Sequence, residues 1–185
     1  MKLEKARILP LTLTGIVILA DQAVKSFIVK NWPREGTFIK DVFNNDILYI
    51  YHVRNKAIAF SLGGNIPEIL KPVLFIVLPL LVLGFLLWYY LKSDEFTLVQ
   101  RWAAAGIIGG GIGNIIDRIF RPAGVVDFIS FKFFGLQNLK GPLAFLSWDR
   151  WPTFNIADSS VVVCCILLFI TLLISSKKTE SGAAQ

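Results

Sequence analysis

A helix needs roughly 20 consecutive, mostly apolar residues to cross the hydrocarbon core of a bilayer. This chain has four such stretches, at about residues 8–28, 72–91, 98–116 and 156–174. They leave little room for another architecture: 185 residues at 55% hydrophobic content and a mean hydropathy of +0.62 are too apolar for a soluble domain and too few for several domains. The expectation is a single integral membrane domain over 1–185, mainly α, with four transmembrane helices and longer connections at about 29–69 and 119–155.

Only the second stretch is free of charge. The first admits Asp21 and Lys25, the third ends on Asn114 with Asp117 and Arg118 just beyond it, and the fourth opens with Asp158. Four antiparallel spans put the end of the first, the end of the third and the start of the fourth on one side of the membrane. All of these polar residues therefore gather at one face, where ionisable groups beside hydrocarbon are costly and call for a functional explanation. Lys2, Lys5, Arg7, Lys92, Arg101, Lys177 and Lys178 make the tails and the 92–101 connection denser in positive charge than the two longer loops. That density predicts cytoplasmic termini and puts the polar face outside. The net charge of +6 suits anionic inner-leaflet lipid and reads as a topology signal, not as a nucleic-acid surface. Residues 1–20 resemble a signal peptide, but the helix pattern continues through Asp21 and Lys25 with no small-x-small exit, so the segment is read as an uncleaved first span.

The 29–69 connection contains Asp46-Ile47-Leu48-Tyr49-Ile50-Tyr51-His52-Val53-Arg54-Asn55, rich in aromatic and β-branched residues. In an extended chain Ile47, Tyr49, Tyr51, Val53 and Asn55 fall on one side. Strands are predicted here and around Val125-Val126-Asp127-Phe128-Ile129, forming a small extracytoplasmic β-sheet and loop cover over the spans. Phe131, Phe133, Phe134, Phe145, Trp148 and Trp151 read as interfacial anchors. In the third span Gly106/Gly110 and Gly109/Gly113 are small-xxx-small pairs suited to close helix packing. A dinucleotide fingerprint fails there, because Asn114 stands where its third glycine belongs and no strand precedes it. Cys164 and Cys165 are neighbours on a helix and point apart, which predicts packing, not a disulfide.

Asp21 and Lys25, at i and i+4, form an ion pair that makes their burial tolerable. Asn114, Asp117 and Arg118, at i, i+3 and i+4, share a helix face. Asn155 and Asp158 have the spacing of a capping box, with the carboxylate favoured by the helix dipole. Capping accounts for Asp158 but leaves Asp127, on the same side and with no helix start to cap, unexplained. Two carboxylates held close share one proton. The ionised member can take a proton from water, while the protonated member polarises an amide carbonyl and later helps protonate the leaving nitrogen. Asp158, at a helix N-terminus, is the member expected to be ionised.

Other chemistries are poorly supplied. One histidine, His52, in an aromatic strand and two cysteines in hydrocarbon do not make a transition-metal site, so neither metal nor cofactor is expected. A Ser/Lys dyad from Ser61, Ser159 or Ser160 with Lys25 or Lys56 has no spacing to support it. The competing class is a proton-coupled transporter or channel subunit, which would want ionisable groups near the midplane and toward both faces. A non-catalytic assembly factor using the small-residue face of the third span is a further alternative.

Asp21-Gln22-x-x-Lys25, Asn55-Lys56-Ala57-Ile58-Ala59-Phe60-Ser61, Gly113-Asn114-Ile115-Ile116-Asp117-Arg118, Val125-Val126-Asp127-Phe128 and Phe154-Asn155-Ile156-Ala157-Asp158 together resemble the five sequence blocks of lipoprotein signal peptidase, or signal peptidase II. They occur in the family's order and span nearly the whole chain. The resemblance implies an aspartyl endopeptidase of the bacterial cytoplasmic (inner) membrane, working without a cofactor. Its substrates are diacylglyceryl-modified prolipoproteins, cut before the lipidated cysteine. It further implies that Asp127 and Asp158 are the catalytic dyad, that Asn55, Asn114, Arg118 and Asn155 line the substrate pocket, and that Asp21, Lys25 and Asp117 support it. Prolipoprotein and membrane lipid are the expected partners, and a monomer the expected state. Two departures stand out: Ala57 and Ile58 replace a glycine and a small residue, and the segment around 136–151 lengthens the family's usual connection.

Overall fold

The structure, a computed structural model, describes residues 7–56, 67–132 and 149–183. Lys2, Lys5, Ala57, Ile58, Ser61, Phe133, Phe134, Phe145, Trp148 and most of the 136–151 segment lie outside the described residues, as do the side chains of Lys177 and Lys178. In chain order the elements are helix α1 (Leu11–Asn31), strands β1 (Thr37–Asp41) and β2 (Leu48–Asn55), a 3-10 turn (Glu68–Leu70), and a π-helical turn (Val73–Val77) that runs into α2 (Leu78–Lys92). Helix α3 (Leu98–Phe120), strand β3 (Val125–Phe131) and helix α4 (Ile156–Ala183) complete them. Four helical segments, Leu11–Asn31, Val73–Lys92, Leu98–Phe120 and Ile156–Ser175, are long and apolar enough to cross a membrane.

Local chemistry explains the helix boundaries. Thr97 caps α3 reciprocally: its hydroxyl accepts from Gln100 N at 3.3 Å, and the Gln100 side chain accepts from Thr97 N at 2.9 Å. Pro79 has no N–H to donate to the preceding turn, and the π-helical turn lies just upstream of it, closed by Leu78 N–H to the Val73 carbonyl. The third helix ends later than hydropathy places it, at Phe120. Asp117 and Arg118 are therefore helical residues, and not the first residues of the following loop.

Helix α3 is the centre of the bundle. Of its apolar window 56% is buried, against 22%, 17% and 11% in the windows of the other spans, whose remaining surface is large apolar side chains such as Leu19, Phe85 and Phe169. In water such a surface would drive aggregation; beside acyl chains it is the matched solvent. Without a hydrophobic force between helices in lipid, close packing decides which faces meet. A Cβ on Gly106 would strike the Cys164 sulfur, and one on Gly110 would strike the Ala157 carbonyl oxygen, so this pair lets α4 lie against α3. A Cβ on Gly113 would come within 3.0 Å of an Asp21 carboxylate oxygen and 3.1 Å of Ala157 Cβ, at the junction of α1, α3 and α4. Gly110→Ala is expected to destabilise the fold by about 1–3 kcal/mol, because backbone of α4 must retreat. A thermal unfolding midpoint equal to that of the unsubstituted protein in the same detergent would refute this packing.

On α1 the buried residues Val17, Asp21, Lys25 and Ile28 form one stripe at helical spacing, directed at the bundle. The sheet stands at the end of the bundle where α1 finishes. Its order is β1-β2-β3, antiparallel throughout, with Asn55 opposite Val125 and Val53 opposite Asp127. A register shift between Ile50 and Val53 adds a residue on β2, so the alternation read from Ile47 to Asn55 is not one unbroken ladder. The aromatic part does share a face: Phe38, Tyr49 and Tyr51 meet edge-on at 5.1–5.8 Å. Ile28, Val126 and Phe128 form a buried cluster that joins α1 to β3. His52 is fully buried, with Nδ1 2.6 Å from the Trp32 carbonyl, and so ties β2 to the end of α1.

Candidate functional site

Strand β3 carries Asp127 to the mouth of the bundle, and the segment after Arg150 carries Asn155 and Asp158 to meet it. That segment is held to the sheet by three backbone bonds between Phe154 and the Phe128–Ile129 edge, at 2.8–3.0 Å. It is also clamped by Arg150, which donates to Asp46 Oδ1 at 2.9 Å and to the Ser130 carbonyl at 2.9 Å and lies 3.7 Å over the Tyr49 ring. Lys132 pairs with the same Asp46 carboxylate. These partners hold the Asp46 carboxyl below its ordinary range, first through Lys132.

The start of α4 has the predicted capping box. Asp158 N–H donates to Asn155 Oδ1 at 2.9 Å, and Asn155 N–H donates to Asp158 Oδ2 at 3.1 Å. This bond fixes more than the helix end. A backbone N–H can only donate, so Asn155 must turn its oxygen to it and its NH2 the other way. That NH2 reaches Asp127 Oδ1 at 2.7 Å and Asn114 Oδ1 at 3.0 Å. The same reasoning orients Asn114. Lys25, which has no acceptor, donates to Asn114 Oδ1 at 3.0 Å, so the Asn114 NH2 faces Asp158 Oδ1 at 2.7 Å. Asn55 supplies a second donor to Asp127, at 3.0 Å to Oδ2. Each aspartate is thus gripped by amides whose direction is set from behind.

Behind them lies a fully buried charge cluster. Lys25 is 2.7 Å from Asp21 and 3.2 Å from Asp117, all three with no exposed side-chain surface. Asp117 Oδ2 also accepts from Val126 N–H at 2.9 Å, and Asp21 Oδ1 from Ala157 N–H at 3.0 Å. Buried carboxylates that also take backbone donors fasten β3 and α4 to the bundle. Asn114 and Asp117 meet at Lys25, at 3.0 and 3.2 Å, but the three residues of this helix face divide between two surroundings. Asn114 and Arg118 line a cavity, while Asp117 points back into the charge cluster.

That cavity, of about 560 Å³, is lined by Asn55, Asn114, Arg118, Asp127 and Asp158, with an apolar wall from Trp151, Phe154 and residues 161–163 of α4. Burial, and next the neighbouring Asp158, push the Asp127 carboxyl up to about 7, against the pull of Asn55 and Asn155. Of the serines weighed for a Ser/Lys dyad, Ser159 gives its hydroxyl proton to the Asn155 carbonyl and Ser160 to the Gly106 carbonyl, while Lys25 is committed to carboxylates. Among the described residues no cluster of His, Cys, Asp and Glu has metal-holding geometry.

The signal peptidase (SPase) II family matches residues 13–174 of this sequence. The chain belongs to the signal peptidase II family. It is therefore a multi-pass membrane peptidase of the lipoprotein-processing type. Proteins named lipoprotein signal peptidase from Treponema denticola and Treponema pallidum are 44% and 37% identical over 88% and 87% of this chain, and 87% and 81% of their own lengths. One from Borrelia hermsii is 46% identical over 80% of this chain and 79% of its own. A solved bacterial membrane enzyme superposes with a TM-score of 0.72 at 27% identity, covering 91% of this chain and 90% of that one.

Three features of the peptidase's site escape a reading of the sequence. Gln22 donates to Asp117 Oδ1 at 3.0 Å and to the Gly113 carbonyl at 2.9 Å, and Arg121 pairs with Asp117, so both belong to the buried cluster. For Arg121 the available signal is its place four residues after Asp117, the spacing of a helical ion pair. Trp151, read from sequence as an interfacial anchor, also lines the cavity.

Proposed function

We propose that this peptidase is an aspartic endopeptidase that removes signal peptides from diacylglyceryl-modified prolipoproteins, cutting before the lipidated cysteine. The observation that carries the reading is that Asp127 and Asp158 line one mostly apolar cavity, each held by an oriented amide. Asp127, with its carboxyl raised to about 7, holds a proton near neutral pH and donates it toward the scissile carbonyl oxygen. Asp158, at the N-terminus of α4, is the anion that takes a proton from water as the water attacks the carbonyl carbon. The tetrahedral intermediate then collapses, the C–N bond breaks, and the proton passes to the leaving nitrogen. Asn55, Asn114 and Arg118 line the pocket that takes the substrate, Asn155 acts from behind by holding Asp127, and Asp21, Lys25 and Asp117 hold these groups in place.

The setting follows from the substrate. A signal peptide that is itself a membrane helix must be cut where water meets hydrocarbon, and the cavity lies between the last turns of α3 and the first turns of α4, with apolar α4 residues as one wall. The chain is placed in the bacterial cytoplasmic membrane as a monomer, with both termini cytoplasmic and the site facing outward.

Purified protein is expected to cleave a lipidated prolipoprotein without ATP or added metal, and the rate should persist in a chelator. Mass spectrometry should find the lipidated cysteine at the new N-terminus. Because Asp127 must keep its proton, kcat/KM should fall above about pH 7, by about tenfold per pH unit. No cleavage of the lipidated substrate sinks the peptidase assignment to this site. A rate that still rises from pH 7 to 9 removes the acid role from Asp127.

A further inference from the structure

A second cavity, of about 340 Å³, lies on the other side of Asn55 and Arg118. Lys71 and Pro72, at the start of the second span, and Arg121 and Pro122, at the end of α3, form its sides, and Lys56 at the end of β2 closes one end. Arg118, 5.7 Å over the Phe75 ring, is a wall shared with the aspartate cavity. Lys71 and Phe75 are at i and i+4, as are Pro72 and Ile76, so one helix face offers a cation above an apolar floor.

The charge is of one sign. Among the described residues the lining holds Lys56, Lys71, Arg118 and Arg121 and no carboxylate. Asp117 pairs with Arg121 from behind. Arg54 donates to the Gly124 carbonyl at the cavity's edge; burial and then Arg121 disfavour its protonated form, while Asp117 and Glu35 favour it. Such a cluster is stabilised by an anion, and its position at the ends of two spans is the depth at which lipid headgroups lie. Free phosphate would meet the positive charge but would not cover Pro72, Phe75 and Ile76. We propose that this cavity binds the phosphodiester headgroup of an anionic phospholipid, with the glycerol and upper acyl chain on Phe75 and Ile76. The shared wall means that an occupied lipid site braces Arg118 and Asn55 on the side facing away from the aspartates. The proposal does not depend on the chemistry of the peptide bond.

The test uses the full chain, purified with a mixture of phosphatidylglycerol and phosphatidylcholine and examined by native mass spectrometry for retained lipid. The unsubstituted protein should retain phosphatidylglycerol selectively. Lys56→Gln with Lys71→Gln should lower that selectivity by about fivefold per lysine. The Arg pair at the same positions should keep it, as should Lys30→Gln with Lys40→Gln, which removes equal charge elsewhere. Equal retention of both lipids by the unsubstituted protein, or undiminished selectivity in the Gln pair, overturns the site. Displacement of the lipid by inorganic phosphate as readily as by a short-chain phosphatidylglycerol assigns the cavity to free phosphate and overturns the lipid.

Discussion

Asp127→Asn and Asp158→Asn are each expected to lower the cleavage rate of a lipidated prolipoprotein by at least about 10³-fold, since each removes a group that must gain or lose a proton. The two losses should differ in kind. Asn at 127 still offers an N–H to the carbonyl, as the protonated acid does, so substrate affinity should hold while kcat collapses. Asn at 158 cannot accept the proton of the attacking water, and it also loses the anion favoured by the start of α4. Folding effects are smaller. At 127 one of the donors from Asn55 and Asn155 would meet an NH2, a loss of about 1–3 kcal/mol that unfolding in detergent can measure separately. The double variant should be little worse than either single one, because groups acting on one proton are not additive. Near-normal cleavage by either single variant would remove the dyad.

What the sequence showed and what it hid divide along physical lines. The four spans were legible because hydrocarbon imposes a length and a composition. The small residues of α3 were legible because close approach of helices excludes side chains, as the contacts of Gly106 and Gly110 with α4 bear out. The Asn155–Asp158 cap was legible because it is local. The end of α3 was misplaced because Asp117 looks like a loop residue until its partners on α1 and β3 are known. Strand β1 gave no clear signal: it is short, half exposed and bulged near Ile39. Least legible was the second role of Asn155, whose NH2 meets Asp127 across 28 residues of chain. A cap predicts where the oxygen points, and only the tertiary fold says what stands on the nitrogen side.

Lys25→Met is expected to destabilise the protein by about 3–5 kcal/mol, the cost of stranding buried charge. Lys25 is the cation between Asp21 and Asp117, and none of the three side chains reaches solvent. Asp117 keeps Arg121 and the Val126 N–H, while Asp21 keeps only Gln22 and the Ala157 N–H, so Asp21 is the group left exposed to the loss. Asp21→Asn placed on Lys25→Met should therefore restore part of the stability, whereas Asp21→Asn alone should destabilise. That sign reversal is the mark of a direct charge pair and is read from a double-mutant cycle by denaturant unfolding in micelles. Activity should not return with stability. Without Lys25 the Asn114 oxygen keeps the Asn155 NH2 alone of its two donors, which loosens the orientation that sets the Asn114 NH2 2.7 Å from Asp158. A double variant that recovers both stability and rate would show that Lys25 serves the fold alone and that the Asn114 amide is held by something else.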